Sequence, residues 1–191
     1  ALEDVLKIGN QVRDPQGEPV FAFKLHQFVS QGGAVYATLE PAANRLITLQ
    51  GRHFASEDRV LAPLVFCRSC GQEYYQVRWN REGHKILPVL PGVVEDEDFE
   101  DLSEGYLVLE DPRHPIWSEE REEELPDNWF NYGKHGRTSV KSEYRKFIPQ
   151  RLYVQPDGTV VQLAADGSAP EGASPGWFTP APFLTCLECG V

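Results

Sequence analysis

The chain carries four cysteines, and all four fall in two copies of one pattern, Cys67-Arg68-Ser69-Cys70-Gly71 and Cys186-Leu187-Glu188-Cys189-Gly190. Two residues between paired cysteines let a tight turn aim both thiolates at one cation about 2.3 Å away. The glycine that follows permits a left-handed backbone in which amides face sulfur. Two such knuckles complete a tetrahedral shell with no cysteine left over, so the spacing predicts one closed, structural Zn2+ held by Cys67, Cys70, Cys186 and Cys189. A catalytic zinc keeps a position open for water, and four thiolates leave none, so this centre offers no catalytic residue. Two other uses of the cysteines compete with this one. Paired disulfides in a secreted protein are disfavoured by the glycine after each pair and by the lack of a signal-peptide pattern in residues 1–13. Redox-active Cys-x-x-Cys pairs are disfavoured because the motif is duplicated without a thioredoxin-like strand and helix.

The distance between the knuckles sets the architecture. They are separated by 115 residues, far more than a minimal zinc ribbon needs, so residues 71–185 read as an insertion between the two halves of a metal site. The expected fold class is α+β and β-rich, with a zinc-ribbon-like four-cysteine site. Residues 1–191 are expected to form a single zinc-binding accessory domain cut from a longer polypeptide, since the chain opens on Ala1, holds no Met and stops two residues after Cys189. A length of 191 residues, 41% of them hydrophobic, is enough for one packed core. No apolar run approaches the roughly 18 residues of a membrane helix.

Along the chain, residues 2–12 and 19–29 fit helical apolar spacing, with Phe21, Leu25, Phe28 and Val29 on one face of the second. Residues 34–39 and 46–50 read as strands of a hairpin around Glu40-Pro41-Ala42-Ala43-Asn44. Further strands are expected at 64–66, 74–79, 85–90 and 106–109, and a short helix capped by Ser118 at 118–125. Pro156-Asp157-Gly158 is a turn signal between strands at 151–155 and 159–163. The Ala-, Gly-, Ser- and Pro-rich stretch 164–176 reads as a mobile loop, and 177–184 returns the chain to the last cysteines.

Charge is unevenly placed. The formal net charge is −11, but residues 95–127 hold 15 acidic residues against only Arg113 and Arg121. This acidic segment reads as a solvated charge run or a docking site for a basic protein partner. Residues 131–151 are the opposite: Lys134, Arg137, Lys141, Arg145, Lys146 and Arg151 face a single Glu143, interleaved with Tyr144 and Phe147. Cations mixed with aromatics suit phosphate contacts and base stacking, so these residues, Tyr144 included, are candidates for nucleic-acid binding. The competing reading is a solvated face, or an internal partner that neutralises the acidic segment. Trp117, Trp129, Trp177 and Phe130 read as core or interface anchors.

The sequence excludes several chemistries. It holds no phosphate-binding Gly-x-x-x-x-Gly-Lys-Ser/Thr loop, no Gly-x-Ser-x-Gly elbow and no dinucleotide fingerprint, so nothing in it hydrolyses ATP alone. Its histidines, His26, His53, His84, His114 and His135, lack ligand spacing and read as surface or internally satisfied side chains.

The order Phe21-Ala22-Phe23-Lys24-Leu25-His26-Gln27-Phe28, then Val35-Tyr36-Ala37-Thr38-Leu39-Glu40, then Cys67-x-x-Cys70-Gly71-Gln72-Glu73-Tyr74-Tyr75 and Cys186-x-x-Cys189-Gly190, resembles the zinc-containing region of large bacterial DEAD/DEAH-box helicases. The resemblance implies a cytoplasmic accessory domain of an ATP-driven DNA translocase, folded around one zinc and lying against the motor lobes of the same polypeptide, in a group that serves DNA repair or defence against phage. ATP and Mg2+ would bind only in those lobes, outside these residues. Cys67, Cys70, Cys186 and Cys189 are the positions that carry over, and the acidic stretch 94–127 departs from the pattern.

Overall fold

The computed structural model describes Val12 and residues 34–89, 102–111 and 115–191. The chain divides into Ala1–Gly32 and Gly33–Val191, and all the described residues except Val12 lie in the second unit. The helices expected at 2–12 and 19–29 lie outside the described residues, apart from Val12.

The unit is built of antiparallel strands: β1 (Val35–Thr38), β2 (Ile47–Thr48), β3 (Phe54–Ser56), β4 (Arg59–Phe66), β5 (Glu73–Asn80), β6 (Lys85–Pro88), β7 (Leu102–Leu109), β8 (Phe130–Gly133), β9 (Gly136–Val140), β10 (Gln150–Val154), β11 (Val160–Val161) and β12 (Ser174–Pro180). Ten of them form one sheet in the order β11-β10-β12-β7-β5-β4-β1-β2, with β3 on β4 and β6 on β5, while β8 and β9 make a separate hairpin. Among the described residues there is no α-helix. The short helix expected at 118–125 is a 3-10 segment, Glu119–Glu124, and the Ser118 side chain makes no capping bond. Two further 3-10 segments are Asp127–Trp129 and Arg145–Phe147. The β-rich half of the expected class is therefore what the described residues show.

β5 is the pivot. One edge pairs with β7 from Tyr75 to Asn80. The other edge is shared, by β4 at Glu73–Tyr75 and by β6 at Val77–Asn80. β6 in turn meets the turn before β11: the Ile86 N–H donates to Gly158 O at 2.7 Å and the Val160 N–H to His84 O at 2.8 Å, flanking a bridge between Lys85 and Thr159. The circuit β5-β7-β12-β10-β11-β6 thus closes on itself. Closure pairs edge groups that would otherwise stand open.

Both faces of the sheet are covered, which explains the adjacent apolar pairs in the strands. Tyr75, Val77, Trp79, Leu107, Leu152, Val154, Phe178 and Ile86 pack together inside the circuit. Their immediate neighbours Tyr74, Val108 and Trp177 turn to the opposite face and pack with Ile116, Trp117, Leu125, Trp129 and Phe130. Successive residues of a strand point to opposite faces, so Tyr74-Tyr75, Leu107-Val108 and Trp177-Phe178 each feed both layers. Edge-on contacts of Trp79 with Phe178 (5.3 Å) and Trp117 with Trp177 (4.9 Å) add to each layer. The tryptophans read as anchors are all buried: Trp117, Trp129 and Trp177.

The hairpin expected around 40–44 forms as β1 with β2, and the one around Pro156-Asp157-Gly158 forms as β10 with β11. β7 starts four residues before the expected strand, because Gly105 lets it lie close to β12; a Cβ there would sit 2.4 Å from Thr179 O. β12 begins at Ser174, within the stretch read as a loop.

Gly158 holds the seam of the circuit. Its φ of +87° is left-handed, and a Cβ would lie 2.4 Å from Ile86 O. Gly158→Ala is therefore expected to cost about 3 kcal/mol or more, against about 1 kcal/mol for Gly172→Ala. Gly172 is also left-handed but has open space around it. Chemical denaturation of both variants measures the difference, and equal losses would contradict this role for Gly158.

Candidate metal centre

The first knuckle is the turn between β4 and β5. β4 ends at Phe66, Cys67 follows directly, and β5 begins at Glu73. The second knuckle follows β12. Phe183 packs edge-on against Tyr74 (5.0 Å) and Tyr106 (5.1 Å), which seats this segment on the outer face of β5 and β7.

The two knuckles repeat the same backbone bonding. In the first, the Gly71 N–H donates to Cys67 O (2.9 Å) and the Cys67 N–H donates to Gln72 O (2.8 Å). In the second, the Gly190 N–H donates to Cys186 O (2.8 Å) and the Cys186 N–H donates to Val191 O (2.7 Å). Gly71 and Gly190 have φ of +83° and +72° with nothing crowding them, so backbone conformation and not space selects glycine there. The Gln72 N–H also faces the Cys70 sulfur at 3.5 Å.

All four cysteines are free thiols, and their sulfurs lie within 4.8 Å of one another. Cys67 Sγ is 3.8 Å from Cys189 Sγ, and Cys70 Sγ is 3.7 Å from Cys186 Sγ. A regular tetrahedron with metal–sulfur bonds of about 2.3 Å has edges of about 3.8 Å. The tetrad therefore fits one metal ion, and residues 71–185, which supply β5 to β12, are the body of the fold rather than an appendage to it.

Four thiols this close resist ionising together. The amides of Cys70 and Ser69 hold the Cys67 thiol down to about 6. Against the pull of the Gln72 amide, loss of water and then the neighbouring sulfurs of Cys189, Cys186 and Cys67 push Cys70 up to about 12. A bound cation relieves that crowding and displaces the remaining protons.

One residue of the centre escaped sequence reasoning. Tyr74, buried on β5, accepts the Leu187 N–H at 2.8 Å and stands 3.3 Å from Cys186 Sγ. Its own proton is thus directed at sulfur. Burial first, then the bond with Cys186, keep this hydroxyl protonated far above its ordinary range. The available signal was a tyrosine in a strand buried on both faces, whose hydroxyl must find a partner.

The basic residues are divided. Arg137 pairs with Asp127 and with Glu123 O, and lies over the Phe130 ring. The Lys141 ammonium donates to Asn128 O at 2.7 Å. Arg151 pairs with the buried Glu110 at 2.6 Å and lies over Trp177, whose indole N–H bonds the same carboxylate at 2.8 Å. Tyr144 stacks on Trp129 at 5.2 Å. These four side chains are engaged within the fold, and Glu110, Glu123 and Asp127 all belong to the acidic segment. Lys134, Arg145 and Lys146 are exposed. His53, His84 and His135 join no metal-ligand cluster among the described residues, and His26 and His114 lie outside them. Among the described residues, no helix is long and apolar enough to cross a membrane.

The chain matches no protein-family model, no curated protein and no solved structure.

Because a hydrogen bond to a ligand sulfur orients it, Tyr74→Phe is expected to weaken metal binding about tenfold or more, measured by competition with a chromophoric chelator. Acid acts in the same direction. Binding releases protons from thiols such as Cys70, so affinity rises with pH through neutrality and falls as pH drops. A metal affinity unchanged in the variant and flat between pH 6 and 8 would contradict this reading of the tetrad.

Proposed function

We propose that the tetrad binds one structural Zn2+ and that the chain is a zinc-stabilised accessory domain of an ATP-dependent DNA helicase, positioning or gating nucleic acid beside the motor lobes. The observation that carries the proposal is the closed shell. Its four donors are all sulfur, which favours zinc over the hard cations Mg2+ and Ca2+, and no position is left for substrate or water. Such a metal holds structure and performs no chemistry. The two knuckles, with Gln72-Glu73-Tyr74-Tyr75 after the first, carry the likeness to the zinc-containing region of DEAD/DEAH-box helicases. ATP hydrolysis belongs to motor lobes of the same parent, and the class of role, in DNA repair or phage defence, follows that likeness.

The nucleic-acid contact falls to the exposed cations, of which Lys146 lies over the Phe147 ring. Lys134 sits at the tip of the hairpin of β8 and β9, and Arg145 and Lys146 on the 3-10 segment beyond it. Single-stranded and duplex DNA are expected to bind in a salt-dependent manner. Changing Lys134, Arg145 and Lys146 to Ala should flatten the salt slope by about one per lost phosphate contact. Arg137→Ala and Arg151→Ala should instead lower stability. Fluorescence anisotropy across a salt series measures this, and no binding at low salt would overturn the DNA-contacting role.

A second reading is favoured by the pairing of Arg137 and Arg151 with the acidic segment: a regulatory or partner-docking module whose acidic residues hold nucleic acid off or receive a basic protein. The segment cannot be deleted to test this, because β7 lies inside it between β5 and β12. Glu119, Glu120 and Glu123 are exposed, so neutralising them to Gln is expected to keep the fold. A rise in DNA affinity of about threefold or more on that change would favour this regulatory reading.

A further inference from the structure

A cavity of about 340 Å3 opens beside the metal centre on the outer face of the sheet, lined by Val65 of β4, Tyr74 of β5 and Tyr106 of β7 together with Phe66, Arg68 and Phe183. Four of these side chains are aromatic. Phe66 is 53% exposed, and Tyr106 and Phe183 are half-buried, so rings are presented at the opening as well as inside. No carboxylate lines the cavity, in a chain whose net charge is −11. The larger cavity, of about 470 Å3, is lined by Glu40, Glu73, Glu110, Asp111 and Glu188 and would repel an anion. The one cation at the smaller cavity is Arg68, which is exposed and joins no ion pair among the described residues.

The volume lies at the lower end of small-ligand sites, about 300–1,000 Å3, which is room for one planar ring and its sugar. Rings that hold a flat apolar body, with a guanidinium for an anion, match the two halves of a nucleotide. The surroundings extend this match. Phe183 belongs to the segment that leaves β12 for the second knuckle, and Pro182 and Leu184 of that segment line a crevice with Phe147 and Trp129. Phe147 follows Arg145 and Lys146 on its 3-10 segment. The cavity with Arg68 therefore lies on one side of residues 182–184, and the 3-10 segment with its two exposed cations on the other.

We infer that this cavity is a stacking site for one unpaired base of single-stranded DNA, with the adjoining phosphate on Arg68. Bases inside a duplex have both faces covered by their neighbours, so the site selects single strands. Every base has a π-face, so it takes any of the four. The tetrad fixes the walls: Arg68 stands between Cys67 and Cys70, and Phe183 stands three residues before Cys186.

This deepens the DNA-contacting reading and rests on it, and the test separates the two. Anisotropy is measured on the full chain with a labelled oligothymidylate of about 12 nucleotides, and with a strand of the same length that carries abasic sites throughout and so keeps phosphates without bases. The expected result is about tenfold tighter binding of the oligothymidylate. Phe66→Ala should bring the two affinities within about threefold of each other, and Phe66→Tyr should restore the difference. Arg68→Ala should lower the salt slope by about one on both strands. Phe66 and Arg68 are exposed, so melting temperature and bound metal are expected to stay as in the unaltered chain.

Equal affinity for the two strands, lost on changing Lys134, Arg145 and Lys146 to Ala, would overturn the stacking site and leave the DNA reading standing. A tenfold difference that those three substitutions leave untouched would support the stacking site and refute the assignment of the contact to those cations. No binding of either strand at low salt would overturn both. A dimer in sedimentation that Phe66→Ala dissociates would assign the cavity to a second copy of the chain and overturn the inference.

Discussion

In the sheet, β5, which follows the first knuckle, is separated by β7 from β12, which precedes the second, and in sequence Cys67 and Cys189 stand 122 positions apart. Four sulfurs within 4.8 Å bring those places together. Closing a loop of that length removes roughly 5 kcal/mol of conformational freedom from the unfolded chain, by the arithmetic used for disulfides. Total stabilities of ordinary domains are about 5–15 kcal/mol. A closure of this size therefore weighs as much as a large share of the fold, and the proposed Zn2+ is best regarded as part of the core. Tyr74 joins the two levels of organisation: its ring packs in the outer layer of the sheet, and its hydroxyl reaches the Cys186 sulfur and the Leu187 amide.

The sheet supports the centre by closing on itself. β5 shares one edge between β4 and β6, and β6 meets the turn at Gly158, so the strand that follows the first knuckle is paired along both sides. The outer layer, from Trp177 and Trp117 to Trp129, covers the face on which the second knuckle rests. Part of the electrostatics serves this packing. Glu110 is buried, and it is satisfied by the Trp177 indole and by Arg151. A buried carboxylate needs such partners, so Arg151 has a structural duty before any external one.

The metal centre was the most legible part of the sequence because its chemistry fixes both residue type and spacing, and the glycines after each pair were legible for the same reason. The turn at Pro156-Asp157-Gly158 was readable from local backbone preference, while the role of Gly158 against Ile86 O depends on a strand some 70 residues away. The hairpin of β8 and β9 was hidden because Asn131 to Ser139 are all exposed and leave no apolar alternation to read. The basic stripe looked like one surface since a count of charges contains no partners. Asp127, Glu110 and the Asn128 carbonyl divide it. The acidic segment likewise looked separable, yet it contains a central strand whose first half, Leu102-Ser103-Glu104-Gly105, offers a single apolar residue.

The central claim is that four thiolates and nothing else surround one zinc ion. X-ray absorption at the zinc K-edge on the purified chain tests it most directly. The account predicts a zinc edge with four sulfur neighbours at about 2.3 Å. Nitrogen or oxygen in the first shell, or protein in which no zinc edge is found, would contradict it.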